Sequence, residues 1–186
     1  MRIEHIVREL YQFEELDDKA KEKAREWYRR CTDDETFWSE QCTDDCEEQL
    51  KYLGFSIDHI YWTGFWSQGD GACFAGTWSA ANVIVNAASD VEELGKTHAK
   101  LIAIARACPE ASATVKQKGH YYHENCTEFS CDEFTDEDSF IDLAKDCMRW
   151  CYRQLEKAYE WQNANEQVDE NIVANGYEFT KEGERA

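Results

Sequence analysis

The spacing of apolar positions changes several times along the chain, and each change predicts an element. Residues 2–13 mix apolar and charged positions and predict a first strand. The segment EELDDKAKEKAREWYRR predicts a helix, with Asp17 or Asp18 as its cap and Ala20, Ala24, Trp27 and Tyr28 at helical spacing. Lys and Arg crowd its later turns, where they suit the negative end of the helix dipole. A second helix is expected from about Asp34 to Leu53, on the stripe Phe37, Trp38, Cys42, Cys46, Leu50 and Leu53, with Gly54 as its C-terminal cap.

The period then becomes extended. FSIDHIYW predicts a strand, TGFWSQGDG a loop, and ACFAGTWSAANVIV one or two further strands. From about Asp90 to Cys108 the pattern is helical again, with Val91, Leu94, Leu101, Ile104 and Ala105 inward and Pro109 just beyond the end. SATVKQK and GHYYHENCTEF predict a strand pair turning at Gly119. The clearest helix runs from about Asp136 to Asn165, on Phe140, Leu143, Cys147, Trp150, Cys151, Leu155, Ala158 and Tyr159. NIVANGYEFTKEGERA predicts a helical turn, a tight turn at Asn175-Gly176 and an edge strand at YEFT. Strands that follow one another through the middle, flanked by helices, predict a single α+β domain over residues 1–186, an antiparallel sheet with helices packed on one face.

Charge changes this picture more than composition does. Twenty basic residues against 39 acidic ones give a formal charge of −19. Residues 1–48 hold 8 basic and 16 acidic groups and residues 124–186 hold 6 and 17, whereas residues 49–123 hold 6 of each. The acid therefore sits on the helical ends of the chain and the sheet is neutral. Such a field repels nucleic acid and anionic membranes and attracts basic protein surfaces. The expected partner is thus a protein with a basic surface, with no direct nucleic-acid or membrane contact.

The nine cysteines, an odd number, come with no secretory leader pattern and no apolar run of membrane-spanning length. Reduced thiols in the cytoplasm are expected, most of them acting as small buried hydrophobes.

Three constellations are candidates for function. In the run from Tyr61 to Phe74, Gly69 and Gly71 flank Asp70 and allow a tight turn whose amides suit an anion nest. Neither a phosphate-loop nor a dinucleotide fingerprint follows. The alternatives are a structural hairpin or a contact loop in which Phe65, Trp66, Gln68 and Asp70 meet a partner. His120, His123, Cys126 and Cys131 supply the atoms for zinc, but a strand at 120–126 would point the two histidines to opposite faces. No metal or other cofactor is therefore expected, and no catalytic motif is present, so the chain is expected not to be an enzyme. A zinc-dependent enzyme or zinc-stabilised protein stays open as an alternative. The third constellation is acidic: Asp33, Asp34 and Glu35, then Asp44, Asp45, Glu47 and Glu48, then Asp132, Glu133, Asp136, Glu137 and Asp138. Carboxylates spaced along rigid helices can stand in for duplex phosphates, which fall about every 1.7 Å of axis. An inert, solvated surface is the other reading of the same residues.

The segments YQFEELDDKAKEKAREWYR, IYWTGFWSQGDGACFAG, KGHYYHENC and ANGYEFTKEGER resemble a family of small bacteriophage and prophage accessory proteins, with SQGDGACF the most specific block. Its members are often labelled as similar to the antitoxin of a toxin–antitoxin system. The resemblance implies an accessory protein acting in the cytoplasm of a bacterial host, and it carries no catalytic residues. Taken together, these features predict an inhibitor of a host defence enzyme, of the anti-CRISPR or anti-restriction kind, acting by acidic DNA mimicry. An antitoxin-like protein that neutralises one toxin is the alternative.

Overall fold

The structure, a computed structural model, describes residues 8–32 and 37–186. Its residues group into two compact units, one formed by the chain ends (up to Trp38, and from Ala158) and one by Ser39–Lys157.

In the unit of the chain ends, strand β1 (Tyr11–Gln12) runs into a single 3-10 turn at Phe13–Glu15 and then helix α1 (Asp18–Thr32). The strand expected over residues 2–13 is therefore only two residues long where it is described. Asp17 caps α1, its carboxylate accepting from the Ala20 amide at 2.9 Å. Helix α6 (Asn165–Ala174) is a full element rather than the single turn expected, and strand β6 (Glu178–Phe179) pairs antiparallel with β1. Phe13, Leu16, Ala20, Ala24, Val168, Ile172 and Phe179 form the core. Arg25 holds α1 to α6 with two bonds to Asp169, at 2.7 and 2.8 Å. Arg185 lies over the rings of Trp27 and Tyr177. The closing ANGYEFTKEGER segment is thus accounted for by packing.

The second unit carries the sheet. Helix α2 (Phe37–Tyr52) stops at Gly54, whose φ of +91 is the left-handed cap that the sequence predicts. Strands β2 (Phe55–Thr63), β3 (Gly71–Ser79), β4 (Ser112–Gln117) and β5 (Thr127–Asp132) pair in chain order, each antiparallel to the next. The α+β class with an antiparallel sheet is the one expected. Phe55, Trp78, Ala113 and Cys131 share one row across the sheet, and Ile57, Gly76, Val115 and Phe129 share another on the same side. Helix α5 (Glu137–Asn163) covers that face: Phe140 packs against Phe55, Trp78, Phe129 and Phe134. The opposite face carries Ser56, Thr77, Thr114 and Ser130 in one row, hydroxyls that need no covering layer.

Two strand expectations are corrected. SAANVIV is helix α3 (Ala80–Val85): Ser79 accepts from the Asn82 amide at 3.2 Å as an N-cap, and only Ala80 and Val83 turn inward. The strand expected over 119–129 begins only at Thr127, because 118–126 closes on itself through Lys118 N–H to Cys126 O and Cys126 N–H to His123 O. Helix α4 (Gly95–Ala107) follows a 3-10 turn at Glu92–Leu94 and buries Leu101 and Ala105 as expected, while Ile104 is only half-buried. It also buries His98, which the pattern did not single out.

Candidate functional site

Antiparallel pairing in chain order places the β2–β3 loop (64–70) and the β4–β5 loop (118–126) at one end of the sheet. Strand β3 starts before the last residue of β4 in register, and the second loop takes up the vacated edge. A Cβ at Gly71 would lie 2.4 Å from that of His123, and one at Gly69 3.1 Å from the Tyr121 ring. The two glycines around Asp70 are therefore required by close approach, and Gly69 also by its φ of +99. The sequence gives no sign that SQGDGACF and HYYHENC are neighbours; only the strand register brings them together.

Asp70 organises the first loop from within. Its carboxylate accepts from the Trp66 amide at 2.9 Å and the Ser67 amide at 2.6 Å, and its own amide donates to Ser67 O at 3.1 Å. The consecutive amides that meet a carboxylate are thus those of Trp66 and Ser67, not those of the turn at Gly69 and Gly71, and the carboxylate is the chain's own. Phe65 stacks on Trp62 at 5.6 Å and lies 5.6 Å from Tyr152, whose hydroxyl donates to Gly64 O at 3.0 Å. Phe65 and Asp70 brace the loop; Trp66 and Gln68 project from it. Trp66 is 77% exposed, and Tyr121 across from Gly69 is 61% exposed. Tyr61 links the pair to the open sheet face, 5.4 Å from Tyr122 and 4.5 Å from His59.

The zinc candidates do not converge. His120 is exposed, and His123 Nδ1 accepts from the Asn125 amide at 3.1 Å. Cys126 precedes β5, whereas Cys131 lies within it, on the helix-covered side opposite Ala113. About 13 Å of strand separates Cys131 from Thr127 at ~3.3 Å per residue. Among the described residues no three His, Cys, Asp or Glu side chains are placed to hold a metal ion. Nor, among them, is any helix long and apolar enough to cross a membrane.

One acidic cluster lies along the middle of α2 beside the β2 edge, and the other lies at the end of the sheet opposite the two loops. Asp44, Asp45 and Glu48 are exposed on α2, and Glu47 is half-buried, its carboxyl pushed up by burial and by Asp44. Asp132, Glu133, Asp136, Glu137 and Asp138 are all exposed where β5 meets α5. Asp136 has a structural duty: it caps α5, accepting from the Ser139 amide at 3.1 Å and hydroxyl at 2.6 Å, and these bonds lower its pKa. Asp33, Asp34 and Glu35 lie outside the described residues.

Most informative is where the cations go. Within the second unit Arg149 binds Glu124 and Asp146, Lys157 binds Glu93, and Lys118 binds Glu128. In the unit of the chain ends Arg25 and Arg29 bind Glu22, and Arg25 binds Asp169. Among the described residues no ion pair involves Asp44, Asp45, Glu47, Glu48, Asp132, Glu133, Asp136, Glu137 or Asp138. Sequence reasoning missed Glu93, which also accepts from Trp150 Nε1 at 2.9 Å and Gln154 Nε2 at 2.6 Å. It missed Tyr121 as well. An exposed aromatic beside a glycine is visible in the sequence only once the two loops are known to meet.

The chain belongs to the family described as a domain of unknown function (DUF8835), whose model matches residues 38–165. That span holds the sheet, both loops and both described acidic clusters. No curated protein and no solved structure matches the chain.

Proposed function

We propose, for this member of the DUF8835 family, a non-catalytic role as an inhibitory binding protein that covers the basic, nucleic-acid-handling surface of another protein. The observation that carries this reading is the freedom of the acidic clusters. Lys118, Arg149 and Lys157 are bound to other carboxylates, and among the described residues no ion pair involves Asp44, Asp45, Glu47, Glu48 or the group from Asp132 to Asp138, which keep their charge for an incoming partner. Both groups stand on or next to helices, which hold them at fixed spacing as phosphates are held on a duplex. Opposite charge on the two surfaces would steer association and make it fall with salt. The resemblance to bacteriophage accessory proteins suggests the setting: a host defence enzyme in the bacterial cytoplasm, blocked in the anti-CRISPR or anti-restriction manner.

The test is affinity capture from host lysate at low salt, followed by elution with salt and, separately, with duplex DNA. A nucleic-acid enzyme released by both treatments, and not captured once Asp44, Glu48, Asp132 and Asp138 are changed to amides, is the expected result. A partner retained in high salt and indifferent to DNA would sink the mimicry.

That second outcome belongs to the antitoxin-like reading, which one observation favours. Trp66 is held outward on a braced loop with Tyr121 beside it, an arrangement suited to an apolar pocket on a small dedicated partner. Trp66→Ala would then abolish capture while the amide substitutions left it intact.

A further inference from the structure

A groove of about 700 Å³ runs between α2 and α3 beside the first residues of β2. Asp44, Glu47, Glu48 and Lys51 form one wall, their spacing of three and four placing them on one helix face. Phe55, Ser56 and Ile57 form the floor, and Asn82, Val85 and Asn86 the other wall. Three carboxylates face a single cation, and Lys51 forms no ion pair with them among the described residues.

The groove is rigid and two-natured. Asn86 Nδ2 donates to Lys51 O at 3.3 Å and to Asn82 O at 3.0 Å, which ties the end of α3 to the end of α2. Trp78 Nε1 donates to Leu53 O at 2.9 Å, and Gly54 presses on Val83 so closely that a Cβ there would lie 2.9 Å away. Against these fixed walls the end of α3 turns two aliphatic side chains outward, Val85 at 83% exposure and Ile84 beside it. Strand β2 pairs on one side only, but its register shifts between Ile57 and His59, and such a bulge stops the edge from being extended by another long strand.

The geometry points to a single occupant: a basic peptide segment of the partner, in which Arg or Lys meets Asp44, Glu47 and Glu48 while an adjacent aliphatic side chain lies on Val85. Phosphates are repelled by the acidic wall, and a purely cationic ligand leaves the aliphatic lip in water. This inference rests on the proposed function and adds to it where the basic partner is gripped and by what sequence.

The experiment uses the full chain and two short fluorescein-labelled peptides, one alternating arginine with leucine and one alternating arginine with serine, with binding read by anisotropy at low salt. The leucine peptide is expected to bind more tightly. Asp44→Asn/Glu47→Gln/Glu48→Gln should weaken it on the order of tenfold. Asp132→Asn/Glu133→Gln/Asp138→Asn, which removes the same charge elsewhere, should weaken it less than about twofold. Val85→Ser should cost the leucine peptide about threefold and the serine peptide nothing. Equal loss in the two triple variants, or equal binding of the two peptides, would overturn the groove and leave the basic-partner reading standing. Failure of wild-type protein to bind either peptide would overturn both. Every substituted side chain is exposed except the half-buried Glu47, and circular dichroism checks that each variant is folded.

Discussion

If Asp70 is the internal brace of the aromatic loop, Asp70→Ala should loosen that loop without loosening the sheet. The carboxylate takes two amide bonds, from Trp66 and Ser67, on a half-buried side chain. Amide bonds to a charged acceptor contribute ~1.5–3 kcal/mol each when shielded, and partial exposure brings these nearer ~1 kcal/mol. Losing both should cost about 2 kcal/mol of local stability, or roughly a thirtyfold rise in loop opening. The assay is amide hydrogen exchange at Trp66 and Ser67, with the fully buried Phe74 of β3 as reference. Trp66 and Ser67 should exchange roughly thirtyfold faster while Phe74 is unchanged. Asp70→Asn, which keeps one acceptor oxygen, should fall between. A change under about threefold at both amides would show that the aromatic stacking of Phe65 alone holds the loop, and a parallel fall at Phe74 would show that the loop opens only with the whole sheet. Either result refutes the reasoning. If loosening is seen, affinity for any partner that uses Trp66 should fall with it, because a mobile anchor has to be ordered on binding.

Two further predictions concern stability. Gly183→Ala should destabilise the unit of the chain ends by more than roughly 2 kcal/mol, since its Cβ would lie 2.1 Å from Ala20 O on a backbone with φ of +80; an unchanged urea midpoint would mean that the C-terminal turn can leave α1 freely. His98 is 4% exposed, its Nε2 lacks a hydrogen-bond partner among the described residues, and burial holds its pKa below the ordinary 6.5. The unfolded chain therefore binds this proton more readily than the folded one, so stability is full above pH 6.5 and is lost as pH falls from there towards the lowered folded value. The slope is at most ~1.4 kcal/mol per pH unit. His98→Gln should flatten that part of the urea-stability profile, and an identical profile in both proteins would place the titration elsewhere.

What was legible in the sequence follows from where each signal lies. Helices α1, α2, α4 and α5 show an apolar stripe at helical period, and burying one face against a neighbouring element is what such stripes are for. SAANVIV misleads because its β-branched residues read as strand, while the deciding contact is the Ser79 cap on Asn82. GHYYHENC misleads in the same way: its aromatics suit a strand, but Lys118 and Cys126 close it into a loop. The loop at Trp66 and the acidic clusters were visible as residues. What they do was not, since ion pairing is a matter of distance in space. Arg149 and Glu124 are 25 positions apart and Lys157 and Glu93 64 apart, so no local pattern shows that these cations are already taken.

The same geometry separates two modes of recognition. Strand β3 runs from Gly71 at the aromatic loops to Ser79, in register with Asp132, which at ~3.3 Å per residue puts about 26 Å between those loops and the group from Asp132 to Asp138. Screening at physiological ionic strength has a length of about 8 Å, so charge at one end has little influence on an event at the other. A partner gripped through Trp66 and Tyr121 should bind almost independently of salt, and one gripped through Asp132, Glu137 and Asp138 should depend on it steeply. Intermediate salt dependence that is abolished by neither Trp66→Ala nor the amide substitutions alone, but by both together, would mean that one partner spans the length of the sheet.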